Sequence, residues 1–256
     1  MKEGEDKSLD ILGVKPVADA VNTTVTATVG GASAFLSRIC LPAAEEFGLL
    51  LREKVSNWRR QSALKITSLA ESKIDGSLLG KVSAHPRIVC EIIEKGSWSD
   101  EDHVQQVWAG LLASACTESG RDDSNLIFIG LLSQLAASQV RILNYVCENA
   151  QKYQSNVGWP YGDVIKITAD TACTVCGVED LHRLDREFDH LRALDLISGE
   201  DSIFNQGGGG FDLNSMNASF RPSPLALHMY VRGQGYIGSP TDFWDLKCKP
   251  QPRKDA

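Results

Sequence analysis

Cys173 and Cys176 stand two residues apart from each other, the spacing at which two thiolates clamp one side of a metal ion, and His182 and His190 follow them. A structural zinc site needs four ligands, usually with a second pair spaced as tightly as the first. Two histidines that far apart on one helix do not readily close a tetrahedron with the cysteine pair. The thiols are therefore read as small core side chains, the commonest place for free cysteine. Glu179 precedes His182 by three positions, and Glu187 precedes His190 by three. This is the ligand pair of di-iron bundles, but those sites take their pairs from different helices and add two more glutamates. Both pairs here share one helix, and a solvated charged face is expected. Gly233, Gly235 and Gly238 match the dinucleotide fingerprint as text. That fingerprint needs a strand before it and a helix after it; this one follows a helical pattern and runs into Pro240, which predicts a turn.

No Gly-x-Ser-x-Gly elbow, phosphate-binding loop or zinc-protease motif occurs, and none of the five histidines sits in a recognisable active-site frame. No catalytic, cofactor-binding or metal-binding residue is assigned, no cofactor is expected, and the reading is not that of an enzyme.

The elements that would carry these residues are mostly helical. Residues 1–14 form a polar leader. From Val17 to Ile39 the stripe Val17, Val21, Val25, Ala32, Phe35, Leu36 and Ile39 marks an amphipathic helix whose other face is Thr, Ser, Ala and Gly. Pro42 is placed to open a long helix to about Ser72, with Phe47, Leu51, Val55, Trp58, Ser62, Ile66 and Leu69 on its apolar face. A short helix runs from Pro86 to Glu94 with Gly96 as its stop. Ser99 is a capping hydroxyl for the next, whose apolar face is Val104, Val107, Trp108, Leu111, Leu112 and Ala115. Asp122 or Asp123 caps a helix bearing Leu126, Ile129 and Leu132, and Val140, Leu143, Cys147 and Ala150 mark another. Short connections between such helices predict a bundle over 15–155.

After Trp159-Pro160 the character changes. Thr168–Cys176 reads as a short helix, Gly177-Val178 as a turn and Glu179–Leu196 as a second helix. Ser202–Phe204 and Ala218–Phe220 read as strands paired across the loop Gly207–Gly210, and Leu225–Val231 as a closing helix. That order predicts a small winged-helix-like α+β domain over 156–240, with 241–256 as a tail. The fold class is thus mainly α, a bundle followed by this domain.

Composition narrows the partners. A net charge of −7 disfavours nucleic acid, and the helix 179–195 sets Glu179, Asp180, Asp185, Glu187, Asp189 and Asp195 against Arg183, Arg186 and Arg192. Such a helix would repel phosphates, so a DNA-binding regulator is disfavoured. The charged opening Met1–Lys7 has no apolar core behind it and is not a secretory signal. Seven irregularly spaced cysteines, with Cys40, Cys90, Cys116 and Cys147 in apolar stretches, fit buried thiols in a reducing compartment. A cytoplasmic protein is expected.

The stretch Leu41-Pro42-Ala43-Ala44-Glu45-Glu46-Phe47-Gly48, the basic-aromatic Asn57-Trp58-Arg59-Arg60-Gln61, and Val107-Trp108-Ala109-Gly110-Leu111-Leu112-Ala113-Ser114-Ala115 come in order. Phe128-Ile129-Gly130-Leu131-Leu132-Ser133-Gln134-Leu135 and Ile142-Leu143 follow. Together they resemble the Abi-alpha (abortive infection alpha) family of phage-defence proteins, over residues 41–143. The polar leader and Gly207–Gly210 fall outside the resemblance. It implies a role in abortive infection, in which an infected cell stops phage propagation at its own expense, and carries over no catalytic residues. The expectation is an antiphage protein acting through contacts with phage, host or sister proteins, a homo-oligomer being one form of such contact. The alternative is a membrane-perturbing effector using the helix 17–39. Its four threonines, two serines and Asn22, with no basic face, disfavour that membrane role. Its small residues Gly30, Gly31 and Ala34 suit close helix approach.

Overall fold

The computed structural model describes residues 30–52, 57–201 and 217–247. Expectations that rest on Val17, Val21 and Val25, on the side chain of Leu51, on Val55, on Ser202–Phe204, or on the residues 207–210 lie outside what is described.

The chain is helical over 30–39 (α1), where Ala32, Phe35, Leu36 and Ile39 are buried as the stripe predicts. Gly30, Gly31 and Ala34 are exposed. Helix α2 (Leu41–Arg52) starts one residue before Pro42, which sits harmlessly in the first turn, where no intrahelical N–H is needed. Helix α3 (Asn57–Lys73) buries Ser62, Ala63, Leu64, Ile66, Thr67 and Ala70. Helix α4 (Pro86–Gly96) is capped by His85, whose Nδ1 accepts from the Arg87 N–H, and carries proline at its start.

Helix α5 (Asp102–Ser114) departs from the one-faced pattern: from Val104 to Ser114 only Gln106 escapes burial. It packs against α3, α4, α6 (Leu126–Leu132), α7 (Ala137–Asn149) and α10 (Pro224–Gly233). Such a central rod must be apolar or small all round. Close approach explains its glycine: a Cβ on Gly110 would lie 1.6 Å from the Gly233 carbonyl oxygen of α10. Ser99 does not cap this helix; the cap position is Glu101, with no side-chain cap bond. The Ser99 hydroxyl instead accepts from the Trp108 indole N–H at 3.2 Å, giving the buried ring's one polar atom its partner. Neither Asp122 nor Asp123 caps α6, whose cap position is Asn125; the Asp122 carboxylate accepts from the Ser124 N–H and makes a turn.

Beyond α7 the chain forms a short antiparallel hairpin, β1 (Lys152–Gln154) with β2 (Pro160–Gly162). Then follow β3 (Ile165–Thr168), α8 (Ala169–Cys176), α9 (Leu181–Ala193), β4 (Ile197–Asp201) and β5 (Asn217–Pro222). The three strands make an antiparallel sheet in the order β3-β5-β4. Among the described residues the strands that pair with β5 are 197–201 and β3, neither of them named from the sequence. The helix pair is set by local chemistry: Thr168 Oγ1 accepts from the Thr171 N–H, Gly177 takes φ +65°, and Asp180 Oδ1 accepts from the His182 N–H. Glycine is the residue that enters that left-handed region without cost.

The buried side chains form one continuous cluster from Phe35 and Leu36 through Trp108 and Cys147 to Phe188 and Phe220. Residues 241–247, expected to be tail, are folded. Helix α11 (Pro240–Phe243) leads to Trp244, which stacks on Tyr230 at 5.7 Å, and Gln154 donates its N–H to the Lys247 carbonyl.

Candidate functional site

Cys176 is buried and Cys173 half-buried. Burial, with the Glu187 carboxylate nearby, pushes the Cys176 thiol up to about 12, so it stays protonated and non-nucleophilic at neutral pH. Glu187 and His190 do not form a solvated face. Glu187 is buried and paired with Arg183 at 3.3 Å, and His190 Nδ1 lies 2.9 Å from Gln139 Nε2. The reason is that Leu184, Phe188 and Leu191 dock α9 on the core and carry their neighbours inward. Glu179 and His182 are exposed. Among the described residues, no three His, Cys, Asp or Glu side chains gather as a metal ion would need. Gly233 is the last residue of α10, and Gly235 and Gly238 follow it; Gly235 has φ +93° and lies in the turn before α11.

Chemistry for recognition lies elsewhere, at two surfaces. Trp58, expected on the core face of its helix, is 45% exposed, and its ring meets that of Trp98, 58% exposed, edge-on at 5.8 Å. The Arg59 guanidinium sits 4.3 Å from the centre of the Trp98 ring. It is held there by the Ser97 hydroxyl at 2.8 Å and the Glu94 carboxylate at 2.7 Å. Two indoles are thereby presented to solvent on a fixed support. The signal for Trp98 was visible: it lies between Gly96 and the acidic run at Asp100, outside any apolar period.

The second surface is the outer face of the sheet. Ala218 and Phe220 point to the core while Ser219 and Arg221 point out, as strand alternation requires. Lys166 stands opposite Ser219, and Ser198 opposite Arg221, so all four share that face. A groove of about 660 Å³ lies over Ser198, Ser219 and Arg221, walled by Tyr161 and Val164 on one side and Asp195 on the other. Asp195 takes φ +56° at the exit from α9, a conformation aspartate tolerates better than most residues. The same hairpin also exposes Val157, at 78%, and Trp159, at 57%. Neither Lys166 nor Arg221 has an ion-pair partner among the described residues. Sequence reasoning missed this hairpin because strands three residues long show no alternation to detect.

Among the described residues no helix is long and apolar enough to cross a membrane. No curated protein and no solved structure matches the chain. A family model, abortive infection alpha, matches residues 52–213, well over half of the 256. The match starts after Leu41–Gly48 and runs past Leu143 through the glycine loop 207–210, so that loop, set outside the resemblance on motifs alone, lies within it. The frame around Trp108, the Trp58–Trp98 pair and the helices α8 and α9 all fall inside the matched stretch, and the chain belongs to the abortive infection alpha (Abi_alpha) family.

Proposed function

We propose that the chain is a non-enzymatic abortive-infection protein that halts phage propagation by binding another protein, of phage or host origin. The observation that carries this reading is the exposed Trp58–Trp98 pair, fixed by the Arg59–Glu94 ion pair. Tryptophan and arginine dominate the energetic centres of protein interfaces, and a ring already immobilised loses little entropy on binding. The order β3, α8, α9, β4, β5, with sheet order β3-β5-β4, supports reading the C-terminal part as a winged helix. On α9, Arg183 and Arg192 are already paired with Glu187 and Asp189, which leaves little positive charge for DNA and favours protein as its partner.

The test is plating of phage on cells carrying the protein. Truncating a hot-spot tryptophan costs about 2 kcal/mol of binding, roughly thirtyfold in affinity. Trp98→Ser is therefore expected to remove protection while leaving the melting temperature unchanged. A folded Trp98→Ser protein that protects as well as wild type would refute the reading.

A further inference from the structure

The groove on the sheet is a second recognition site, and its chemistry selects its occupant. In a chain of net charge −7, the outward cations Lys166 and Arg221 share one face with no ion-pair partner among the described residues. A guanidinium without an ion-pair partner among the described residues, on the floor of a concavity, is suited to a carboxylate, which it can grip with two parallel N–H donors. The Tyr161 and Val164 wall asks for an apolar neighbour to that carboxylate. The hairpin that carries Tyr161 also exposes Trp159 and Val157 outside the groove, and a small molecule filling about 660 Å³ would leave them bare. A chain segment would cover both. The rim carboxylate Asp195 works against a polyanion such as nucleic acid, and tolerates a single acidic group seated at Arg221.

We propose that this groove binds an extended segment of a partner protein in which one acidic residue is flanked by apolar ones, with the acid on Arg221 and an apolar side chain against Tyr161 and Val164. The inference rests on the reading that the protein works by protein contact, and it adds a docking site separate from Trp58 and Trp98.

The test uses the full chain and an array of immobilised nonapeptides, each with a central aspartate or glutamate between leucine, valine or phenylalanine residues, beside lysine-centred and scrambled controls. The acidic peptides are expected to be retained over both controls. Charge reversal in Arg221→Glu should weaken retention by about tenfold or more, Tyr161→Ser should weaken it by severalfold, and Trp98→Ser should leave it unchanged. Retention that survives Arg221→Glu, or no preference for acidic over lysine-centred peptides, overturns the proposal, as does displacement by a short single-stranded oligonucleotide in preference to peptide. A groove that fails these tests while Trp98→Ser still abolishes phage protection removes the docking site and leaves the contact mechanism standing.

Discussion

Gly110 and Gly130 both lie in helices and both fall within the stretch that the family model matches, yet alanine at the two positions should act with opposite signs. A Cβ at Gly110 would lie 1.6 Å from the Gly233 oxygen, 2.2 Å from its carbonyl carbon and 2.8 Å from its Cα. Side-chain carbons essentially never come within 3.0 Å of such atoms, so α5 and α10 would have to separate by at least 3.0 − 1.6 = 1.4 Å. The obstacle is backbone, so no rotamer change can relieve it. Overpacking a core costs about 1–3 kcal/mol where side chains can yield; a helix displacement should reach the top of that range or pass it. At about 2–4 °C per kcal/mol for a chain of this size, Gly110→Ala should lower the melting temperature by roughly 6–12 °C. Gly130 has nothing within 4 Å of its added Cβ, and alanine there gains about 0.5–1 kcal/mol by restricting the unfolded chain. Gly130→Ala should raise the midpoint by roughly 1–4 °C. Thermal unfolding followed by far-ultraviolet circular dichroism reads both. A Gly110→Ala protein as stable as wild type would show that α10 does not rest on α5 and would refute the packing described.

Trp108→Ala should cost about 3–5 kcal/mol, as truncation of a buried aromatic does, since Trp108 is 2% exposed and its indole N–H is satisfied by Ser99; an unchanged midpoint would place the ring outside the core. Burial pushes the Cys116 and Cys176 thiols up from 9.0 to about 12. The folded state holds the proton more tightly than the unfolded one, so stability is intact below pH 9 and should fall as pH rises from about 9 through 12; denaturant midpoints across that range, with Cys116→Ala as control, check it. Metal analysis should find well below one zinc per chain, because buried Cys176 and exposed His182 do not converge; zinc that survives dialysis and is lost in Cys176→Ser would contradict that. Because the buried cluster is continuous from Phe35 to Phe220, far-ultraviolet and tryptophan signals should report one coincident transition.

Helices were legible where one face is apolar: Ala32, Phe35, Leu36 and Ile39, then Phe47, Ser62 and Ile66, and Val140, Leu143, Cys147 and Ala150 are all buried as their periods name. Gly177 and Val178 marked the turn between α8 and α9 in the sequence itself. Legibility failed where the physics is not periodic. Trp58 sits on the right face of its helix, but at the end, beyond the reach of the core, and faces solvent. Ser99 has the residue type of a cap, and its hydroxyl is taken by Trp108, a partner nine positions away. Glu187 reads as surface and is buried, because the fold packs α9 against α7 and sequence carries no trace of that contact. The groove was illegible for the same reason: Tyr161, Asp195 and Arg221 meet only through strand register.

These failures separate what the family motif encodes from what the protein does. Val107–Ala115 lies inside the matched stretch, and every residue in it is buried. Its glycine answers the Gly233 backbone, its tryptophan packs under Gly96, where an added Cβ would come 3.0 Å from the ring, and its small residues let five helices approach one rod. No partner can touch such residues in the folded protein. A loss of phage protection caused by mutating them therefore reports on the amount of folded protein, through the steep dependence of abundance on stability, and identifies no contact. Variants that inform on mechanism must lie outside the buried frame and leave the melting temperature alone. Trp98 and Arg221 meet the first condition on exposure, and they stand on different elements with no shared partner, so their effects on stability should add. If both surfaces serve one partner, their effects on protection will not add. Departure from additivity in protection, with additivity in stability, would mark a single bound protein spanning the two surfaces.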